Sequence, residues 1–147
     1  MKVFPLETSY ASVIGYVKTL QDRWGGFCKI RVDSTNQDYV VEDMKHSDVE
    51  NVEGVHFTLP RKQEMATLVK QRMVTNRFWY PYFTWAKPYR SEWVTELNVE
   101  RFDLRKDGSI GFSHPQGTHD DVWWATALAL YATVEMTEEP YVGVIPK

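Results

Sequence analysis

Between Ser9 and Asp33 the chain changes its hydrophobic period, and that change limits the folds open to it. Tyr10, Val13, Ile14, Val17, Leu20 and Trp24 recur at the spacing of one helix face, and Gly25-Gly26 closes the helix. Over residues 27–32 the spacing shortens to two. Cys28, Ile30 and Val32 alternate with Phe27, Lys29 and Arg31, as successive side chains do along a strand. The exchange repeats downstream. Residues 39–46 predict a short helix with Val40, Val41 and Met44 inward, and residues 55–58 a short strand. Thr58, followed by Pro60, opens a helix to about Val74 with Met65, Leu68 and Val69 inward. Residues 3–7 are a further strand candidate, weakened by Pro5. Strands alternating with helices predict an α/β sheet.

The second half is less regular. Residues 77–90 carry Pro81 and Pro88, which argue against a continuous helix and predict a strand followed by an ordered loop. A helix is expected over residues 91–97, carrying Trp93, Val94 and Leu97. Residues 99–104 and 109–113 flank Lys106-Asp107-Gly108, a hairpin signal because Asp-Gly suits positive φ. A last helix starts near Thr118 and runs through Val122, Ala125, Thr126, Ala129 and Thr133. The expected organisation is one domain over residues 1–136 and a tail over 137–147, in keeping with a length of 147 residues.

Several classes are excluded. With 43% hydrophobic and 25% charged residues the chain is neither disordered nor low-complexity. Its single cysteine, Cys28, rules out an internal disulfide framework and a cysteine-rich zinc site, and its alternation predicts a small core residue. No phosphate-binding glycine loop occurs, so the chain is no ATPase by itself. No stretch matches a membrane helix, and residues 1–7 have no long apolar run of the signal-peptide kind; a cytoplasmic chain is expected.

Charge is unevenly spread. Arg61, Lys62, Lys70, Arg72, Arg77, Lys87 and Arg90 face one acid, Glu64, across residues 61–90. That segment is +6 within a chain of −3, leaving −9 elsewhere. A polyanion can approach through such a segment, although solvated helix faces also cluster charge. Seven aromatic residues lie between Phe78 and Tyr89, interleaved with cations. Rings so placed either stack on bases or pack a loop onto a core or interface.

Two places carry candidate acids. Asp33 follows the 27–32 strand, and functional residues of α/β sheets gather at the carboxyl ends of strands. An acid there either holds a metal ion or forms an Asx-turn, and taken alone the turn is the commoner role. At Gly117-Thr118-His119-Asp120-Asp121, two adjacent carboxylates repel each other and gain from a cation. Thr118 to Asp121 also has the Thr-x-x-Asp spacing of a helix cap, which accounts for one acid but not for the second, nor for His119. His46, His56, His114 and His119 show no ligand-like spacing among themselves.

Gly117-Thr-His-Asp-Asp-Val-Trp-Trp-Ala-Thr-Ala-Leu-Ala-Leu130 resembles the last nuclease motif of viral large terminases, His-Asp-Asp followed by an alanine- and leucine-rich helix. Ile30-Arg31-Val32-Asp33-Ser34-Thr35 resembles the family's second acidic motif. Val52 to Thr58 with Arg61-Lys62-Gln63-Glu64, and then Glu96-Leu97 with the hairpin at Asp107-Gly108, fit the intervening parts in order. The resemblance spans about residues 8–136. It implies a ribonuclease H-like mixed sheet flanked by helices and a metal-dependent endonuclease that cuts viral DNA during packaging. By the same resemblance Asp33, Asp120 and Asp121 would bind Mg²⁺ or Mn²⁺, and His119 would orient water or a carboxylate. Lys62 would contact double-stranded DNA, together with Arg61 and Arg77 of the basic segment. Implied partners are a terminase ATPase domain and other packaging-motor subunits, in the cytoplasm of a host cell.

The chain departs from the family at three points. The family's first acid stands on a strand upstream of the matched region, and no ATPase half is present, which suggests a fragment, a split gene product or a degenerate relative. Residues 3–6, running parallel to residues 27–32, would fill the empty slot and bring Glu7 to the first acid's position. Asn36 and Asp38 replace glycines common after the second acid, and asparagine tolerates left-handed φ. The competing expectation is an inactive ribonuclease H-like domain that serves as a packaging, scaffold or DNA-binding module. A third is an aromatic-rich binding module with no metal.

Overall fold

The computed structural model describes residues 2–79, 94–96, 101–106, 108, 110–113 and 115–134. Helix α1 (Tyr10–Trp24) begins where Ser9 Oγ accepts the Ser12 N–H, and ends at Gly25, whose φ of 78° turns the chain out of the helix. Strand β1 (Ile30–Asp33) follows, then α2 (Asp38–His46), β2 (Val52–Val55) and α3 (Leu59–Val74). Thr58 Oγ1 caps α3 from the Arg61 N–H, with Pro60 in the first turn, where its missing N–H costs nothing. Strands β3 (Arg101–Leu104) and β4 (Ile110–Ser113) form an antiparallel hairpin, and α4 (Asp121–Tyr131) comes last.

β1 and β2 run parallel in the register Ile30↔Val52 to Asp33↔Val55, joined through α2. Alternation sends their side chains to two cores. Ile30, Val32 and Val52 pack with Ile14 and Val17 of α1 and with Val40, Val41 and Met44 of α2. On the opposite face, Val55 meets Met65, Ala66 and Val69 of α3 and Trp123, Trp124, Ala127, Leu128 and Tyr131 of α4. Helices thus cover both faces, as a parallel pair requires. Arg31 turns to the α4 side, its side chain 7% exposed, and pairs with its register neighbour Glu53. Its guanidinium lies 5.2 Å from the Tyr131 ring centre, which offsets part of the cost of burying the charge.

The three early helices fall where their periodicity places them, α1 and α3 also by their caps, and the hairpin forms as expected, with Gly108 at φ 80°. The single ribonuclease H-like sheet does not. The described residues hold two separate two-stranded sheets, β1–β2 and β3–β4. The hairpin pairs with itself and spends its apolar side chains on α4: Phe112 packs against Trp124, Phe102 against Trp123. Residues 3–7 form no strand. Thr8 N–H closes a turn onto the Pro5 carbonyl, and the Phe4 ring stands edge-on to Tyr16, so Glu7 is exposed on a turn and no strand of residues 3–6 carries it alongside β1. Cys28 is exposed, because β1 begins two residues after it.

The second strand occupies 52–55 and not 55–58, and the last helix begins at Asp121 and not near Thr118. Residues 77–79 form no strand: the Arg77 N–H closes the end of α3 on the Arg72 carbonyl. Of the helix expected over 91–97, residues 94–96 are helical. The aromatic loop from Tyr80 to Tyr89, His114 and the tail over 137–147 lie outside the described residues. No helix among those described is long and apolar enough to cross a membrane.

Candidate functional site

Asp33 ends β1 at the carboxyl end of the parallel pair. Its Oδ1 accepts the Thr35 N–H at 2.9 Å, the Asx-turn. Asn36 then takes φ 64°, the left-handed geometry open to asparagine, and the chain enters α2. Thr35 Oγ1 in turn accepts the Phe57 N–H at 2.8 Å and ties the segment after β2 to the β1–α2 loop.

Asp120 and Asp121 begin α4, but Thr118 does not cap it. The Thr118 hydroxyl donates to the Pro115 carbonyl at 2.6 Å. Glu96 caps the helix instead, its Oε2 accepting the Val122 N–H at 2.6 Å. Asp120 Oδ2 accepts the Trp124 indole N–H at 2.8 Å, one turn along the same helix. Asp121 and His119 are exposed. Burial pushes the Glu96 carboxyl above the usual carboxylate range, opposed by the Val122 N–H; Asp121 pushes it further up, His119 opposes and Asp120 adds to the rise. Glu96, His119, Asp120 and Asp121 are therefore electrostatic neighbours at one helix end.

The two acid-bearing regions are linked by contiguous contacts. Phe57, tied to Thr35 and through it to Asp33, packs on Trp124 with ring centres 5.3 Å apart, and Trp124 holds Asp120. Both thus belong to the carboxyl-end side of the parallel strands. They do not close on an ion: among the described residues no group of three or more His, Cys, Asp or Glu side chains is placed to hold a metal. Asp33, Asp120 and Asp121 as they stand do not fit a shared metal ion.

The expected DNA contacts divide. Lys62 Nζ lies 4.6 Å from the Trp124 ring centre and 5.6 Å from that of Phe57, beside Asp120's tryptophan. Arg61, 40% exposed in its side chain, is engaged within the protein, donating to Glu64 at 2.7 Å and to the Tyr131 hydroxyl. Arg77 is exposed beyond the other end of α3, whose stretch from Lys62 to Val74 spans about 18 Å at 1.5 Å per residue. Arg61, Lys62 and Arg77 therefore do not form one patch.

Glu96, Phe57 and Trp124 were not among the site residues the sequence suggested. The i,i+4 spacing of Asp120 and Trp124 was the legible signal for that pair. Nothing local marks Glu96 as the cap of a helix 26 residues further on. No protein family model, characterised protein or solved structure matches this chain.

Proposed function

We propose that the chain is a nuclease domain of the ribonuclease H-like class, resembling that of viral large terminases, acting on double-stranded DNA in the cytoplasm of an infected cell. One observation carries this reading: Asp33 at the carboxyl end of a parallel strand and Asp120 at the head of α4 are joined by the Thr35–Phe57–Trp124 contacts. Mg²⁺ or Mn²⁺ is the proposed cofactor, with Asp33, Asp120 and Asp121 as its candidate ligands and His119 beside them. As they stand, these side chains do not enclose an ion. Lys62 would contact the DNA backbone, and a terminase ATPase domain would be the partner.

A second reading is an inactive domain of the same class that binds DNA or packaging partners. The Asx-turn role of Asp33 and the lack of a three-donor group among the described residues favour it. Plasmid cleavage with Mn²⁺ or Mg²⁺ separates the two. The nuclease reading expects nicking by the parent chain and a loss of about 100-fold in Asp33→Ala and in Asp120→Ala. Cleavage that survives both substitutions would overturn the assignment. A parent chain that binds DNA without cutting it supports the second reading.

A further inference from the structure

We infer that the outer edge of β2 is a docking site for an extended basic peptide segment of a partner protein, which adds to the sheet as a third strand. This stands apart from the nuclease reading. In the ladder, Ile30 N–H donates to the Asn51 carbonyl at 2.8 Å and Ser34 N–H to the Val55 carbonyl at 3.1 Å. Backbone groups alternate sides along a strand, so Glu53 and Val55 face β1 while Val52 and Gly54 turn their N–H and C=O groups outward. Among the described residues no third strand pairs with them. Gly54 is exposed although its Cβ direction is closed by Ser34 and Val41, so the surface it offers is backbone. Open edges are usually blunted by a lysine, a proline or a bulge, and Val52-Glu53-Gly54-Val55 has none of these. Glu53 is turned to other use, pairing with Lys29 and Arg31.

Charge around this edge selects the occupant. Residues 38–55 hold six acids against one lysine, a net charge of −5 with His46 neutral, and all six acids are exposed. The two flanks of α2 differ. Asp43, His46 and Ser47 line the groove against α1. Asp38 lies 3.3 Å from His56 Nε2, just past the end of β2. Helical spacing puts Glu42 one turn from Asp38, on the flank beside β2, where Lys45 is paired to it at 3.1 Å. Glu50 is exposed just before the strand begins. Acids therefore stand towards both ends of the four-residue edge. A second copy docked edge to edge would set these acids against their own counterparts, and like charges across a strand pair are unfavourable. A strand with lysine or arginine at alternate positions gains on both counts. Its backbone bonds to Val52 and Gly54, and its cations meet Glu42 and Glu50.

The test is residue-resolved amide exchange by NMR on the full chain, alone and with a blocked peptide of alternating lysine and valine at low salt. In the chain alone, Val52 and Gly54 should exchange faster than Glu53 and Val55, whose N–H groups lie in the ladder. Peptide at about ten times its dissociation constant should slow Val52 and Gly54 about tenfold. The acidic counterpart, with glutamate for lysine, should leave them unchanged. Glu42→Lys combined with Glu50→Lys, both at exposed positions, should weaken peptide binding about tenfold and flatten its salt dependence. Val52 and Gly54 amides that stay fast in millimolar basic peptide overturn the inference, as does equal slowing by the acidic peptide. These peptide arms decide even if the double variant fails to fold, and a folded double variant with parental affinity also overturns it. Protection of both amides in the chain alone would mean that the edge is already occupied. Protection lost on dilution would assign it to a second copy, and protection kept on dilution to this chain itself. Either result overturns the assignment to a basic partner segment.

Discussion

Glu96 shows how one side chain ties a distant segment to the head of a helix. Its carboxyl is held above its ordinary value of 4.5 mainly by burial, with Asp121 and Asp120 adding to the rise against the Val122 N–H and His119. A raised pKa in the folded state means that the native protein holds the proton more tightly than the unfolded chain does. Stability from this group is therefore present at low pH and falls as pH rises from 4.5 through the raised value. Glu96→Gln keeps an oxygen acceptor for Val122 and removes the titration. Its melting temperature relative to the parent, measured in EDTA, should rise between pH 4 and 7; a flat difference would contradict the shift. Ser34 makes a second case. It is 1% exposed and its hydroxyl has no hydrogen-bond partner among the described residues. An unmet buried hydroxyl costs about 1–3 kcal/mol, so Ser34→Ala should be neutral or stabilising in a urea melt, against the usual direction for a core substitution. At this scale sequence reading succeeds where the partner is local. The Asx-turn of Asp33 was open to it because Thr35 is two residues away, and the capping of α4 by Glu96 was not.

Among elements, the parallel pair sets the tightest tolerance. A Cβ on Gly54 of β2 would stand 2.6 Å from Ser34 Oγ, 2.9 Å from Ser34 Cβ and 3.2 Å from Val41 Cγ2. Ser34 is buried at the end of β1 and cannot swing out of the way, so the β1–β2 and α2 packing must give. Gly54→Ala should cost about 1–3 kcal/mol by chemical denaturation, the range of core overpacking, although the backbone there needs no positive φ. A loss below about 0.5 kcal/mol would mean that β1 and β2 separate easily. The same contact explains why the second strand was read three residues late. Val55 and Phe57 alternate like strand residues, but the ladder uses Val52 to Val55, where Gly54 permits close approach and Asn51 ties back to the Phe27 carbonyl. Helices α1, α2 and α3 were legible because apolar spacing is written locally, joined in α1 and α3 by the capping residues Ser9 and Thr58. Which strands join one sheet depends on contacts far apart in sequence, and the hairpin's aromatic side chains commit it to α4.

For the whole molecule, the question is whether the two cores act as one. Ile14, Val40, Val41, Met44, Val49 and Val52 form one cluster, and α3 with α4 forms the other; the two-stranded sheet lies between them. Two strands alone are marginal, so each core must be supported through the other's face of the same ladder. Met44 reports on that coupling. It is 4% exposed in the first cluster, whereas Trp123 and Trp124 belong to the second. Met44→Ala should cost about 2–5 kcal/mol, as truncation of a buried methionine usually does. If unfolding is one cooperative transition, the urea midpoint followed by tryptophan fluorescence drops together with that followed by far-ultraviolet circular dichroism. If the cores are independent, the fluorescence midpoint, read in a background with Trp24, Trp79, Trp85 and Trp93 replaced by phenylalanine so that Trp123 and Trp124 report alone, stays near the parental value while the dichroism curve broadens. Lys62 and Asp120 lie on the α3–α4 side and Asp33 on the strand between, so cooperative behaviour would also mean that the candidate site depends on the core that carries none of its acids.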